Sequence, residues 1–176
     1  MSGFRYRAAQ QPGFALHTLT PMATQPVYKI PESVLVVIHS PQLEVLLLER
    51  ADHPGFWQSV TGSRATRKEP LNQTALREVA EETGIRAAPD ALLDWRTTHR
   101  YPIFAHLRHR YAPAVSHNVE HVFSLVVPRE TAVTLAPREH LRWQWLSWEA
   151  AADRAFSWTN VKAIRALARR FVTHSR

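Results

Sequence analysis

Apolar residues in the first half of the chain come in short runs. Val34-Leu35-Val36-Val37-Ile38 is continuous and largely β-branched, the pattern of a strand buried on both faces. His39 to Gln42 supplies turn residues, and Glu44 to Arg50 (EVLLLER) reads as a second strand. Together they predict an antiparallel hairpin. His53, Pro54 and Gly55 mark a loop, and Phe56 to Thr61 reads as a third strand ending in a loop at Gly62. The pattern then changes period. Leu71 to Thr83 contains neither Pro nor Gly; Pro70 suits a first helical turn and Gly84 a C-cap. A helix of about three to four turns is expected. Leu92 to Arg100 reads as a strand or strand pair, with Tyr101 to His106 continuing it through Pro102. Residues 107–119 are basic and irregular. Glu120 to Val127 and Leu141 to Trp148 read as strands. Thr159 to Thr173 carries apolar residues at 161, 164, 168, 171 and 172 and predicts a closing helix. Residues 1–26 show no periodicity and read as a disordered extension, with Met22 as an alternative start. The expected fold is α/β, a mixed sheet flanked by two helices in one domain over 27–176.

Length and composition support a single globular domain: 176 residues, 45% hydrophobic, enough for a sizeable core. No run of 18 apolar residues occurs, so no membrane span or membrane partner is expected. The N-terminal stretch lacks the apolar region of a signal peptide. With no cysteine, disulfides and thiol catalysis are excluded, which fits a reducing cytoplasm. A net charge of +7 attracts polyanions, either a free triphosphate or a nucleic acid. The densest basic cluster, Arg165, Arg169, Arg170 and Arg176, reads as a solvated helix face rather than an RNA patch. His106, His109, His117 and His121 lack zinc-site spacing. Trp57, Trp143, Trp145 and Trp158 read as core.

The predicted helix over 71–83 carries the chemistry. Glu78, Glu81 and Glu82 are spaced i, i+3 and i, i+4 and share one face. Like charges there destabilise a helix by roughly 0.2–0.5 kcal/mol per pair, and the macrodipole disfavours acids near its C-terminal end. A solvated acidic face is one reading. The other is a site for a hard divalent cation such as Mg²⁺, with Mn²⁺ as a substitute, which takes oxygen ligands and keeps waters for a phosphate substrate.

The flanking residues choose between them. Gly62, Glu69 and Arg77-Glu78-Val79-Ala80-Glu81-Glu82-Thr83-Gly84-Ile85 resemble the Nudix box, G-x5-E-x7-R-E-U-x-E-E-x-G-U, with U a bulky aliphatic. Six residues rather than five separate Gly62 from Glu69, an insertion that a loop accepts cheaply. The resemblance implies an α/β/α sandwich with a loop–helix–loop. It also implies metal-dependent hydrolysis of a nucleoside diphosphate linked to another group. Glu78 and Glu82 are the first-choice metal ligands, with Glu81 a further ligand or a positioner of water. Arg77 orients the carboxylates through charge-assisted hydrogen bonds. Nudix enzymes often bring a glutamate from beyond the box, and Glu120 is carried over in that role, as ligand or general base.

Phe56 to Ser63 (FWQSVTGS), His106 to Pro113 (HLRHRYAP), Asn118 to Glu120 and Ser157 to Asn160 resemble the bacterial Nudix branch acting on 7,8-dihydroneopterin triphosphate in folate synthesis. That branch implies a small-molecule triphosphate substrate and no nucleic-acid partner. Tyr101, Ile103 and Phe104 could form a slot for the flat ring. Lys29, Arg50 and Thr61 are carried over as substrate contacts, and Arg108 and Arg110 can meet phosphate oxygens. The alternatives are a housecleaning (d)NTP pyrophosphohydrolase, an RNA 5′-end pyrophosphohydrolase and a non-catalytic nucleotide sensor. The pattern sets no oligomeric state.

Overall fold

A computed structural model describes residues 27–172; the predicted extension over 1–26 lies outside them. The described strands are β1 (Glu32–His39), β2 (Glu44–Arg50), β3 (Trp57–Gln58), β4 (Val60–Ser63), β5 (Leu92–Pro102), β6 (His117–Val126) and β7 (His140–Ser147). The α-helices are α1 (Leu71–Thr83), α2 (Trp148–Arg154) and α3 (Trp158–Val172). One sheet runs β3-β2-β1-β6-β5, with β4 also paired to β1 and β7 to β2. β1 and β6 are parallel, and the other pairs are antiparallel.

β1 lies at the centre because it is apolar on both faces: Val34 to Ile38 are all at most 1% exposed. Val34, Val36 and Ile38 pack with Ala75 and Val79 of α1 on one face. Leu35 and Val37 pack with Ala151 of α2 and Ile164 and Leu167 of α3 on the other. Burying a side chain such as Ile164 or Leu167 contributes roughly 1.5–3 kcal/mol. The fold is therefore the expected α/β sandwich.

Several boundaries differ for local reasons. The β1–β2 hairpin is joined in register at only one pair, His39 with Val45. β1 turns its Ser33–Val36 edge to β4, and β2 is occupied along its length by β7. The expected strand over 56–61 is broken at Ser59, whose N–H donates to Asn160 Oδ1 at 2.7 Å instead of to a neighbouring strand. The strand then resumes through Gly62 to Ser63. β6 begins at His117, so Glu120 sits inside the strand and does not open it. Residues Ala105–Arg110 form a 3₁₀ segment. Trp148 opens a helix that the pattern missed, capped by the Ser147 hydroxyl, which accepts from the Ala150 N–H. Of the four tryptophans read as core, Trp57 and Trp145 are buried, but Trp143 and Trp158 are 43% and 55% exposed. Arg170 lies with its guanidinium 4.7 Å from the Trp95 ring centre, so the C-terminal basic face is partly packed rather than wholly solvated.

The Ser59–Asn160 bond ties the strand break to α3 from a side chain only 2% exposed. Replacing Asn160 by Ala leaves a buried N–H without an acceptor, and should cost about 1–3 kcal/mol. Urea denaturation should show a lower midpoint with an unchanged slope; an unchanged midpoint would refute this role.

Candidate active site

α1 starts immediately after Pro70, whose backbone is extended, so the proline stands at the cap and not in the first turn. Gly84 ends the helix at φ 70°, and its N–H donates to Ala80 O at 3.0 Å. That left-handed position favours glycine. Between these ends Arg77, Glu78, Glu81 and Glu82 project near β4.

The Arg77 guanidinium connects three segments. Its Nε and Nη2 donate to the two oxygens of Glu69 at 2.8 and 3.2 Å. Nη1 donates to Glu78 at 2.8 Å and Glu81 at 3.0 Å, and Nη2 also donates to the Ser63 carbonyl at 3.0 Å. The hydrogen bonds from Arg77 hold the Glu69 carboxyl down at a pKa of about 2, against the opposing effect of burial. Glu69 in turn accepts the Ala65 N–H at 2.6 Å. Arg64 grips the same loop, donating to the Glu69 and Arg67 carbonyls at 2.9 and 2.5 Å and pairing with Glu32 of β1. The loop with its additional residue is thereby folded back so that Glu69 reaches Arg77.

The three helix glutamates do not share one environment. Glu81 is 57% exposed and bonded to Arg77. Glu78 is largely buried; burial pushes its carboxyl up to about 7, with Arg77 opposing and Glu82 and Glu81 adding to the rise. It lies against Gly62, where any Cβ would overlap its carboxyl group. Glu82 is 3% exposed, and burial raises its pKa despite the His140 Nε2 contact at 2.9 Å and a backbone hydrogen bond from Thr61.

Sequence reasoning missed two residues here. Glu82, Glu139 and His140 present ligand atoms all within 4.8 Å of one another. Glu139 and His140 stand where the chain enters β7, and His140 pairs with Arg50 of β2. Their signal was an acid–imidazole pair directly before a strand, which no spacing rule links to a helix 58 residues away. Buried carboxyls raised in pKa by burial and by one another, with a further carboxylate close by, fit a hard cation, whose charge would offset that repulsion.

The sheet register places Glu120 elsewhere. It is aligned with Ser33 of β1 and His99 of β5 and alternates with Val122, which packs on the α2–α3 face. The α1 glutamates lie across the sheet, so the structure does not group Glu120 with them. Glu120 is 3% exposed and lines a cleft of about 380 Å³ on the α3 side. Lys29, Arg50, Thr61, Tyr101, Ile103, Phe104 and Arg110 line the same cleft, as do Gly62 and Trp158. Arg108 is exposed on the 3₁₀ segment and does not line it. Burial and the nearby Arg110 and Arg50 depress the Lys29 pKa, while Glu78 and Glu139 act to raise it. Arg50 is held by Asp52 at 2.8 and 2.6 Å and by Gln58 at 3.2 Å. The cleft thus combines apolar and aromatic residues with three basic ones, of which Lys29 lies close enough to Glu78 and Glu139 to be affected by them.

The chain resembles known proteins in sequence and in fold. The chain is 46% identical over 141 residues to the dihydroneopterin triphosphate diphosphatase of Escherichia coli strain K12, covering 78% of this chain and 92% of that relative. It is 39% identical over 141 residues to the protein of the same name from Haemophilus influenzae, covering 78% and 87%. The solved structure of the E. coli dihydroneopterin triphosphate pyrophosphohydrolase matches with a TM-score of 0.72 at 44% identity, covering 85% of this chain and 99% of that one. The NUDIX domain model matches residues 29–167, and with the helix, loop and carboxylates described above the chain belongs to the NUDIX family of hydrolases.

Proposed function

We propose that this chain hydrolyses 7,8-dihydroneopterin triphosphate to the monophosphate and pyrophosphate, with Mg²⁺, as a cytoplasmic step of folate synthesis. The observation that carries the reading is 46% identity across 92% of a relative of that name. The cleft supports it: Tyr101, Ile103 and Phe104 line it together with Lys29, Arg50 and Arg110, apolar surface suited to a ring and positive charge suited to phosphates.

Lys29, Arg50 and Arg110 receive the triphosphate. Lys29 regains from an anion the stabilisation that burial removed. Thr61 and Gly62 form part of the cleft wall, and the missing side chain at Gly62 leaves room for the Glu78 carboxyl to lie directly against that wall. Glu78, Glu82 and Glu139 would hold the cation, His140 orienting Glu82 through Nε2. When bound, the cation neutralises phosphate charge and acidifies water. Arg77 keeps Glu78 and Glu81 in place through a fork that only a guanidinium supplies. Glu139, the exposed carboxylate of the group, would supply the ligand that comes from outside the helix.

Pyrophosphate release by purified protein with Mg²⁺, measured against dihydroneopterin triphosphate and a panel of (d)NTPs, tests the reading; clear preference for an ordinary nucleotide would overturn it. Glu82→Gln and Glu139→Gln should each reduce turnover by about 10²-fold or more and weaken Mn²⁺ binding by calorimetry, with the thermal midpoint retained. Near-normal turnover in both would sink the ligand assignment.

The Glu69–Arg77 pair has a pH signature. Its depressed carboxyl pKa of about 2 means the pair stabilises the fold fully above the unfolded value of about 4.3. That contribution disappears as pH falls through the folded value. The thermal midpoint gap between the parent and Glu69→Gln should therefore be widest above about pH 5 and narrow toward pH 3. A gap constant with pH would contradict the ion pair.

A further inference from the structure

Two acceptor atoms in the floor of the cleft have no hydrogen-bond partner among the described residues: Glu120 Oε2 and Asn118 Oδ1. Both residues are 3% exposed and both line the cleft. They alternate along β6 and so point to the same face. A carboxylate oxygen and an amide oxygen are both acceptors. Asn118 Nδ2 donates to Ser33 Oγ at 2.7 Å and to the Tyr101 hydroxyl at 3.0 Å, which leaves its Oδ1 turned away from both. The Tyr101 hydroxyl makes only a long contact of 3.4 Å with Glu120 Oε1. His99 Nδ1, itself 3.6 Å from Glu120 Oε2, is also without a partner. Trp158 touches the His99 ring edge-on at 5.2 Å between centroids and forms an exposed wall of the cleft.

A buried acceptor left unpaired is costly, and the cost is removed by a ligand that brings a donor. A carboxylate offers two acceptor oxygens in one plane, which match two adjacent N–H groups on a planar ring. We propose that Glu120, supported by Asn118, reads the donor edge of the substrate's heterocycle, pairing with a ring N–H and the neighbouring exocyclic amino group of a 2-amino-4-oxo ring. This deepens the proposed function and rests on it for the ring's identity. It assigns Glu120 to specificity and separates it from the metal-binding carboxylates on the other side of the sheet. Adenine and cytosine present a different edge, so an acceptor-only floor rejects them by leaving its own atoms unpaired.

The test uses guanosine and inosine triphosphates, which differ only in that amino group. By calorimetry, the parent protein should bind guanosine triphosphate about tenfold or more tightly than inosine triphosphate, and Glu120→Gln should erase the difference while leaving Mn²⁺ affinity unchanged. With dihydroneopterin triphosphate, Glu120→Gln should raise KM far more than it lowers kcat. Equal binding of the two nucleotides by the parent, a comparison that needs no variant, would overturn the assignment. So would loss of Mn²⁺ binding in a folded Glu120→Gln protein, which would return Glu120 to the metal site. Retained guanosine preference with no turnover of dihydroneopterin triphosphate would support the edge reading and refute the proposed substrate.

Discussion

The geometry of the site depends on how one guanidinium holds several carboxylates that repel one another. All five N–H donors of Arg77 are used, on Glu69, Glu78, Glu81 and the Ser63 carbonyl. A lysine has three donors on a flexible stem and could not bind a loop, a strand and two helix positions in one plane. Without that fork, Glu78 would sit with Glu82 and Glu81 acting on it and nothing opposing them. Even with it, burial holds the Glu78 carboxyl near 7, with Glu82 and Glu81 adding to the rise. A divalent cation would favour the ionised form against both effects, so the helix carries its acids at some expense to its own stability.

The sheet divides the labour. β1 is apolar on both faces from Val34 to Ile38, so the polar groups gather at its Glu32–Ser33 end and on the strands beside it. On the α1 face Glu78 lies against Gly62, and Glu82 meets His140. On the α3 face Ser33, Asn118 and Glu120 form one polar floor. β4 stands between the two regions: its Gly62 lies against the Glu78 carboxyl and also lines the cleft.

Much of this was legible in the chain. The continuous run at 34–38 announced a strand buried on both faces, because no polar position interrupts it. The helix over 71–83 was marked by breakers at both ends, and the spacing of its acids predicted their shared surface. Lys29, Arg50, Tyr101 and Arg110, scattered along the sequence and expected to meet substrate, line one cleft. The failures have a common cause. Glu120 reads as a strand start because residues 107–119 read as basic and irregular, yet β6 begins at His117, and parity then fixes its face. Glu139 and His140 act through contacts distant in sequence, which local pattern does not encode. Trp158 was read as core by its chemistry, although as the first residue of α3 it projects from the helix end into the cleft.

The loop between Gly62 and Glu69 shows why an added residue need not disturb the chemistry. Its ends are fixed by different means: Gly62 by pairing with Val34 of β1, and Glu69 by Arg77. Between them Arg64 takes two backbone carbonyls and the Glu32 carboxylate, which also contacts His121 of β6 at 3.2 Å. The arginine therefore attaches the loop to two strands of the sheet independently of the helix. Extra length adds chain entropy that grows only logarithmically, whereas several charge-assisted bonds at one side chain restrict the loop directly. What the helix requires from this segment is the position of one carboxylate, at Glu69. A loop of any length that delivers it to Arg77 leaves Glu78, Glu81 and the cleft wall where they were.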